Sequence, residues 1–290
     1  MFRILFLSLA LFPATIFAKG QVAVVASLTG GATAQVPKAR TPVSIHALDW
    51  LDSGVRIDVQ PKSSMKLILL NGRSYELSAG ARATLGEDRL TAFNSHVHEL
   101  NRLPAIPRLV PIAGNTADVP GATAIRGARV KNLYPQQVWA IASHVKLSFA
   151  PVPEVSDYSV ILQDEERNTL LQLNTPATGV DVPSDALKPG AHYSWRVRAF
   201  GHFSVLAEGS AEFWTISKDD LDRRSAFAAA LQADDDAMRL ALIAGVDQHS
   251  GLLADACDEL EAALHLRPSD SALAGALAAA RTALASARDK

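Results

Sequence analysis

The sequence predicts a multidomain chain that is mainly β with an α-helical C-terminus. Three observations carry that expectation. Between residues 21 and about 112, short apolar stretches (QVAVVASLTG, TPVSIHAL, VRIDV, MKLILL, RATL) are cut by Gly, Asp, Ser and Pro, the punctuation of turns. Between residues 125 and 217, apolar-polar alternation recurs in runs about ten residues apart, the rhythm of a β-sandwich. From residue 218 onward alanine is abundant, β-branched residues are scarce and apolar positions recur at three and four, which is helix.

The first eighteen residues, MFRILFLSLALFPATIFA, place one cation before an apolar stretch that ends at a proline and a small residue. That order reads as a secretory signal peptide over residues 1–18, with Lys19 as the mature N-terminus. The apolar run falls short of the roughly 20 residues that cross a bilayer. No second long apolar run follows, so no transmembrane span is expected after signal removal, and the mature protein is expected to be periplasmic or secreted. No cysteine follows the cleavage site that could carry a lipid, and Cys257 is the single cysteine of the chain, so internal disulfides are excluded. Export without disulfides calls for domains that carry their own cores.

The chain has 28 basic and 30 acidic residues. A balance so near neutrality gives no electrostatic reason to expect nucleic acid or an anionic membrane as partner. Charge is nevertheless uneven: +4 over residues 19–112, −2 over 113–217 and −5 over 218–290. Three separately solvated surfaces account for that, and an acidic tail that meets a basic patch on a partner is the alternative.

The first β segment is expected over residues 19–100. Within MKLILLNGRSYEL, Asn71-Gly72 is the preferred pair for a two-residue type I′ turn, since both residues tolerate φ > 0. A two-residue loop would pair Ile68 with Tyr75. Met65, Leu67 and Leu69 are as apolar as Ile68, which predicts a strand covered on both sides. The longer stretch LDWLDSGVRIDVQPKSSMKLILLNGRSYELSAGARATLG resembles the FecR-type periplasmic domain. The likeness runs over residues 21–95 and rests on Leu51, Gly54, Val55, Ile57, Ser63, Leu67, Leu69, Asn71 and Gly72. Founding members of that family are transmembrane regulators that relay a signal from outer-membrane receptors. This chain departs from them in showing neither a cytoplasmic segment nor an internal membrane span, so the resemblance implies an exported domain and direct control of a cytoplasmic sigma factor is not expected.

Residues 101–123 hold four prolines and several small residues and read as a semi-rigid linker. The second β segment, residues 124–217, puts Tyr158, Val160 and Leu162 on one face at period two, and likewise Tyr193, Trp195, Val197 and Ala199. LKPGAHYSWRVRA carries Leu187, Pro189, Gly190 and Tyr193 in the order of a tyrosine corner. On these residues the segment resembles an Ig/fibronectin type III-like β-sandwich, with Phe149 where that family has a core tryptophan.

Residues 218–290 form the helical segment. From Ala237 to Asp270, Leu240, Ile243, Ala244, Ala256, Leu260, Ala263 and Pro268 fit the 34-residue spacing of one tetratricopeptide repeat, a helical hairpin, and the stretch resembles that family. Asp247 stands where a tyrosine is usual. The flanking stretches LDRRSAFAAALQ and SALAGALAAARTAL would complete or cap a short stack, since one such unit cannot bury its own face.

Candidate chemistry is sparse. His96-Val97-His98 would present two imidazoles on one strand face, yet only Glu99 stands beside them and a closed zinc site needs four ligands. Asp234-Asp235-Asp236 lacks the glycine-bearing spacing of a calcium loop and reads as a helix N-terminal cluster. Glu165-Glu166 falls in an expected hairpin turn. Cys257 reads as a small buried apolar residue. No phosphate loop and no nucleophile elbow occur, so an enzyme is not expected, and neither cofactor nor metal is. Trp195 and Trp214 fall in strand patterns and read as core.

The expectation that follows is a non-enzymatic envelope adaptor or signalling accessory that binds an envelope protein. The first helix of the repeat would dock that partner, through Met238, Ala241, Gly245 and Gln248. The alternative is a cell-wall or surface-polysaccharide module that uses Trp50 and Trp139 as platforms for sugar rings.

Overall fold

The computed structural model of the chain describes residues 20–106, 109 and 128–288, apart from positions 38, 40, 202, 203, 232 and 234. The leader over residues 1–18 and most of the linker over 101–123 lie outside the described residues. The described part is mainly β with four C-terminal helices.

Ten strands build the first module: β1 (Gln21–Thr29), β2 (Ala32–Gln35), β3 (Val43–Ser44), β4 (Trp50–Asp52), β5 (Arg56–Val59), β6 (Ser64–Leu69), β7 (Ser74–Leu77), β8 (Arg82–Leu85), β9 (Leu90–Ala92) and β10 (Val97–Glu99). They form two five-stranded sheets, ordered β10-β7-β6-β1-β4 and β3-β2-β5-β8-β9. Ala23, Val25, Met65, Leu67 and Leu69 of the first sheet meet Ile57, Val59, Ala83 and Leu85 of the second in one core. In β5 and β8 the alternate residues Arg56, Asp58, Arg82 and Thr84 point outward, as period two requires of a strand with one wet face.

The first sheet is covered on both faces over part of β1 and β6, and only toward Thr29, Ser64 and Lys66 does its outer face meet water. Val24, Ala26, Ile68 and Leu70 point away from the core and are themselves buried, against Phe227, Leu242, Ile243 and Val246 of the helices. The apolar-both-sides pattern of β6 thus has its cover in a segment some 150 residues further along the chain.

The hairpin between β6 and β7 departs from the two-residue expectation. Leu67 pairs with Tyr75 and Ile68 with Ser74. Leu69 N–H donates to the Arg73 carbonyl at 2.8 Å, and Gly72 N–H to the Leu69 carbonyl at 2.9 Å. The loop is therefore three residues, Leu70 to Gly72, and Gly72 alone takes positive φ, at 84°. Asn71 instead bridges outward, accepting Arg73 N–H at 3.1 Å and donating to the Asp88 carbonyl at 2.6 Å. The extra residue turns Leu70 toward the helices. Gly72 has a second constraint, since a Cβ there would lie 2.1 Å from the Leu103 carbonyl oxygen.

The second module has eight strands: β11 (Ala128–Arg129), β12 (Trp139–Ala140), β13 (Lys146–Ser148), β14 (Asp157–Asp164), β15 (Thr169–Thr175), β16 (Gly179–Asp181), β17 (His192–Phe200) and β18 (Val205–Thr215). One sheet runs β11-β18-β17-β14-β15, with β12 also on β18, and the other pairs β13 with β16. Only β11 and β12 run parallel to their neighbour. Val160, Leu162, Trp195, Val197 and Phe213 face Leu147, Phe149 and Val180 across the core. The Tyr193 hydroxyl accepts Lys188 N–H at 2.6 Å and donates to the Lys188 carbonyl at 3.3 Å, which closes the tyrosine corner. With that corner and that strand order the module is an Ig/fibronectin III-like sandwich.

Four helices follow: α1 (Lys218–Ala230), α2 (Asp236–Ser250), α3 (Leu253–Leu266) and α4 (Ser271–Arg288). Their ends are fixed by local chemistry. Ser217 Oγ caps α1 by accepting Asp220 N–H at 3.1 Å, and Asp235 Oδ1 caps α2 by accepting Met238 N–H at 2.9 Å. Gly251, at φ 84°, ends α2 in the left-handed region. α2 is buried on two faces. Leu242, Ile243 and Val246 lie on the first β module, while Ala237, Ala241 and Ala244 meet Ala256, Cys257, Leu260 and Ala263 of α3. Small residues on both partners let the two helix backbones approach closely. At the sandwich end, Ile141 and Ile216 pack with Leu252 and Leu221.

Candidate functional site

The four positions expected to dock a partner are partly taken up by contacts within the chain. Met238 packs with the outer face of β1 and β6, and a Cβ at Gly245 would lie 3.6 Å from Trp50 Nε1. Ala241 is buried toward α3 and α4, and Gln248 is half-buried. The four positions therefore do not form one open row. Trp50 and Trp139 are likewise built into contacts within the chain. The Trp50 ring stacks on His249, with centroids 4.6 Å apart and planes 12° from parallel. Trp139 packs with Ile141, Ile216 and Leu252 where the sandwich meets the helices. Two residues chosen for rival readings, Trp50 and Gly245, thus face each other across one module boundary.

Behind that boundary lies a buried ionic cluster. Arg224 of α1 donates to Asp247 of α2 through both prongs, Nε to Oδ1 at 2.8 Å and Nη2 to Oδ2 at 2.5 Å. The same Nη2 donates to Glu259 Oε1 of α3 at 2.5 Å. One guanidinium therefore ties three helices together, in the bidentate geometry that suits arginine. Burial works against the charge on Arg224, but its bonds to Asp247 and the nearby negative charge of Glu259 outweigh that and hold its pKa above the ordinary value.

The carboxylates outnumber the cation. Burial, with the charge of Asp247 next to it, pushes Glu259 up to about 9. Glu259 Oε2 is buried without a hydrogen-bond partner, which also suits a neutral carboxyl. Asp255, one turn before Glu259 on α3, is raised to about 6, first by burial and then by Asp247, with Arg224 and His144 pulling the other way.

Asp255 opens on a cleft of about 460 Å³ between the sandwich and the pair α3–α4. The sandwich contributes Tyr134, Ile141, His144 and Lys146 to its wall, and the helices Asp255, Asp258, Glu261, Arg281 and Leu284. His144 Nδ1 stands 3.8 Å from Asp255 Oδ1, across the module boundary. Arg281 Nη2 bonds Glu261 Oε1 at 2.8 Å and ties α4 to α3 along the rim. Asp258 and Glu261 are exposed, and Asp258 is raised by partial burial and by the neighbouring Glu261. The cleft thus offers an apolar floor with both signs of charge along its edges.

The remaining sequence candidates lie elsewhere. His98 and Glu99 sit exposed on β10, and among the described residues no three His, Cys, Asp or Glu side chains gather as a metal set. Asp235 caps α2 and pairs with Arg267, and Asp234 lies outside the described residues. Glu165 and Glu166 occupy the β14–β15 turn, closed by Asn168 N–H donating to Asp164 Oδ1 at 2.7 Å. Cys257 is buried among alanines and leucines of α2 to α4 and reaches the cleft floor. Trp195 is core, and its Nε1 donates to the Pro135 carbonyl at 2.9 Å, whereas Trp214 is half-buried and stacks on His192.

Sequence reasoning passed over Arg224, Glu259 and His144. One signal was on the page: Asp247 breaks the repeat pattern, and a carboxylate at a buried helix position needs a cation near it. Which cation answers it depends on how α1 folds back, which local spacing does not encode.

The fold and cleft define a mainly β protein with an Ig/fibronectin III-like sandwich and a four-helix segment. No family model matches the chain, and no curated protein matches it. Among solved structures it is similar to a two-domain fibronectin type III segment of chicken tenascin, at 12% identity and a TM-score of 0.24, over 67% of this chain and 85% of that one. It is similar also to the FN1–FN3 domains of chicken CNTN1, at 10% identity and a TM-score of 0.22, over 68% of this chain and 57% of that one. A third is a cytokine receptor complex, at 13% identity and a TM-score of 0.23, covering 67% of this chain and 91% of that chain. The sandwich assignment stands on strand order and the tyrosine corner. Among the described residues no helix is long and apolar enough to cross a membrane.

Proposed function

We propose that this protein is an exported, non-enzymatic envelope adaptor that binds a protein partner, built from a FecR-like module, the Ig/fibronectin III-like sandwich and a tetratricopeptide-like helical hairpin. The observation that carries the reading is the cleft between sandwich and helices, where two modules supply one wall each. Binding sites favour such boundaries. Its mixed lining suits a polypeptide segment that brings an apolar side chain to Ile141 and Leu284 and charged ones to Asp258 and Lys146. The leader over residues 1–18 supports a periplasmic or secreted location.

Deleting residues 218–290 is a poor probe of this role, because Val24, Ala26, Ile68 and Leu70 would lose their cover. Exposed charges in the cleft are a cleaner one. Cross-linking capture from intact envelopes is expected to recover a specific protein with the full-length wild type and to lose it with Asp258→Lys/Glu261→Lys. Equal capture by both would take the partner away from the cleft. Recovery of glycan alone by both would replace the adaptor with a polysaccharide-binding protein.

A further inference from the structure

We infer that a second copy of this chain adds to the sandwich through the outer edge of β15. The strand is seven residues long and stands last in its sheet, and among the described residues no backbone hydrogen bond links it to any strand except β14. An open edge of that length is a template for another strand unless the sequence blunts it. Its one irregularity is a register shift at Leu170, and the run from Leu171 to Thr175 beyond it pairs regularly with β14. From Asn168 to Val180 there is no charged residue, and β15 itself contains no proline.

The other sheet ends differ. β3 has two residues and β9 three, while β10 ends on Glu99, paired with Arg73 at 2.9 Å. β4 has three and stacks Trp50 against the helices.

The pattern along β15 is what points to a copy of itself. Thr175, Leu173 and Leu171 lie opposite Tyr158, Val160 and Leu162, so they share the face that closes the core. Leu171 and Leu173 remain half-buried there, at the open end of the sandwich, while Gln172 and Asn174 are exposed on the opposite face. An antiparallel pairing about a two-fold axis through Gln172 would put Leu171 beside Leu173 of the other copy. Apolar thus meets apolar, a pair that stabilises antiparallel neighbours. The arrangement is isologous, so it closes at two copies. A neutral strand also has no charge with which to repel its own image. Because one strand edge buries less than a standard interface, the association is concentration-dependent, with a dissociation constant on the order of tens of micromolar.

Sedimentation velocity of the full mature chain over roughly 1–200 µM, a range that brackets such a weak interface, is expected to show a monomer shifting to dimer. Gln172→Lys/Asn174→Lys replaces exposed side chains and sets like charges across the axis, so it should lower the dimer fraction at least about tenfold while the melting temperature holds. Gln172→Cys is expected to form an intermolecular disulfide on mild oxidation, because a residue on the axis faces itself, and Thr84→Cys on the other module is not. A chain that stays monomeric across the range, a dimer indifferent to the lysines, or equal cross-linking from both cysteines would overturn the inference.

Discussion

The two sheets of the first β module share one core and have opposite outer faces. On β5 and β8 the outward positions are Arg56, Asp58, Arg82 and Thr84, with Arg82 Nε bonded to Asp58 Oδ1 at 3.0 Å in solvent. At one end of β1 and β6 the outward positions are Val24, Ala26 and Ile68, with Leu70 just beyond β6, all buried under α1 and α2, while Lys66 and Ser64 at the other end are open to solvent. The same pleat therefore gives a free surface in one sheet and a module boundary in the other. The difference lies only in which residues occupy alternate positions. It also accounts for the place of the helices: α1 and α2 are the second cover of the one patch of that sheet that cannot face water.

The largest test of that boundary is Arg224→Ala. It removes the one cation that holds Asp247 and Glu259 and with it the tie from α1 to α2 and α3. Breaking a buried pair by deleting one partner leaves uncompensated charge, so a loss of about 3–5 kcal/mol is expected in urea unfolding of the full chain. A loss below about 1 kcal/mol, the range of exposed pairs, would mean that the cluster is solvated and does not clamp the helices.

Ile68→Ala and Leu67→Ala sharpen the comparison within one strand. Both side chains are buried, Leu67 in the core and Ile68 beneath the helices. Each truncation should cost roughly 2–5 kcal/mol, and equal costs would show that the helical cover is as well packed as the core. Were Ile68→Ala nearly neutral, the helices would be resting on the sheet rather than sealing it.

A smaller effect is read by pH. Asp255 and Glu259 are raised in the folded state, so each binds its proton more tightly folded than unfolded. The stability they contribute is complete below their ordinary carboxylate range near pH 4. It is lost as pH rises, through about 6 for Asp255 and about 9 for Glu259. Asp255→Asn fixes a neutral group at its position and should flatten the stability profile between pH 4 and 7 by about 2–3 kcal/mol relative to wild type. Parallel profiles for the two proteins would remove Asp255 from the buried cluster.

Much of this was legible in the sequence, and most of what was not shares one cause. Tyr193 in its corner, the alternation along β14 and β17, and the acidic cluster at the start of α2 are local, set by residues within a few positions of one another. The apolar pattern of β6 announced a second cover but could not say what supplied it, since Phe227 and Leu242 lie far along the chain. Met238, Gly245 and Trp50 belong to the same case: local spacing does not tell that the fold brings this helix and this aromatic residue together. The turn at Asn71-Gly72 went wrong for a different reason. The pair suits a two-residue loop, but a three-residue loop turns Leu70 toward the helices, and tertiary burial overrode the local preference.

The smallest expected effect tests the other half of the comparison. Thr84 sits on the outer face of β8, beside Arg56 in the pairing register and two residues from Arg82, outside the cluster that the helices cover. Thr84→Ile would give this face one of the residues that β6 carries outward. Because the side chain stays at the water boundary, the change should move stability by less than about 0.5 kcal/mol, as surface substitutions do. Ile68→Thr, the reverse exchange on β6, strips apolar contact and leaves a hydroxyl under the helices, which should cost several times more. The two changes swap the same pair of residue types between strands of one module. Any asymmetry between them therefore measures the helical cover itself, separated from the β-propensity that isoleucine and threonine share.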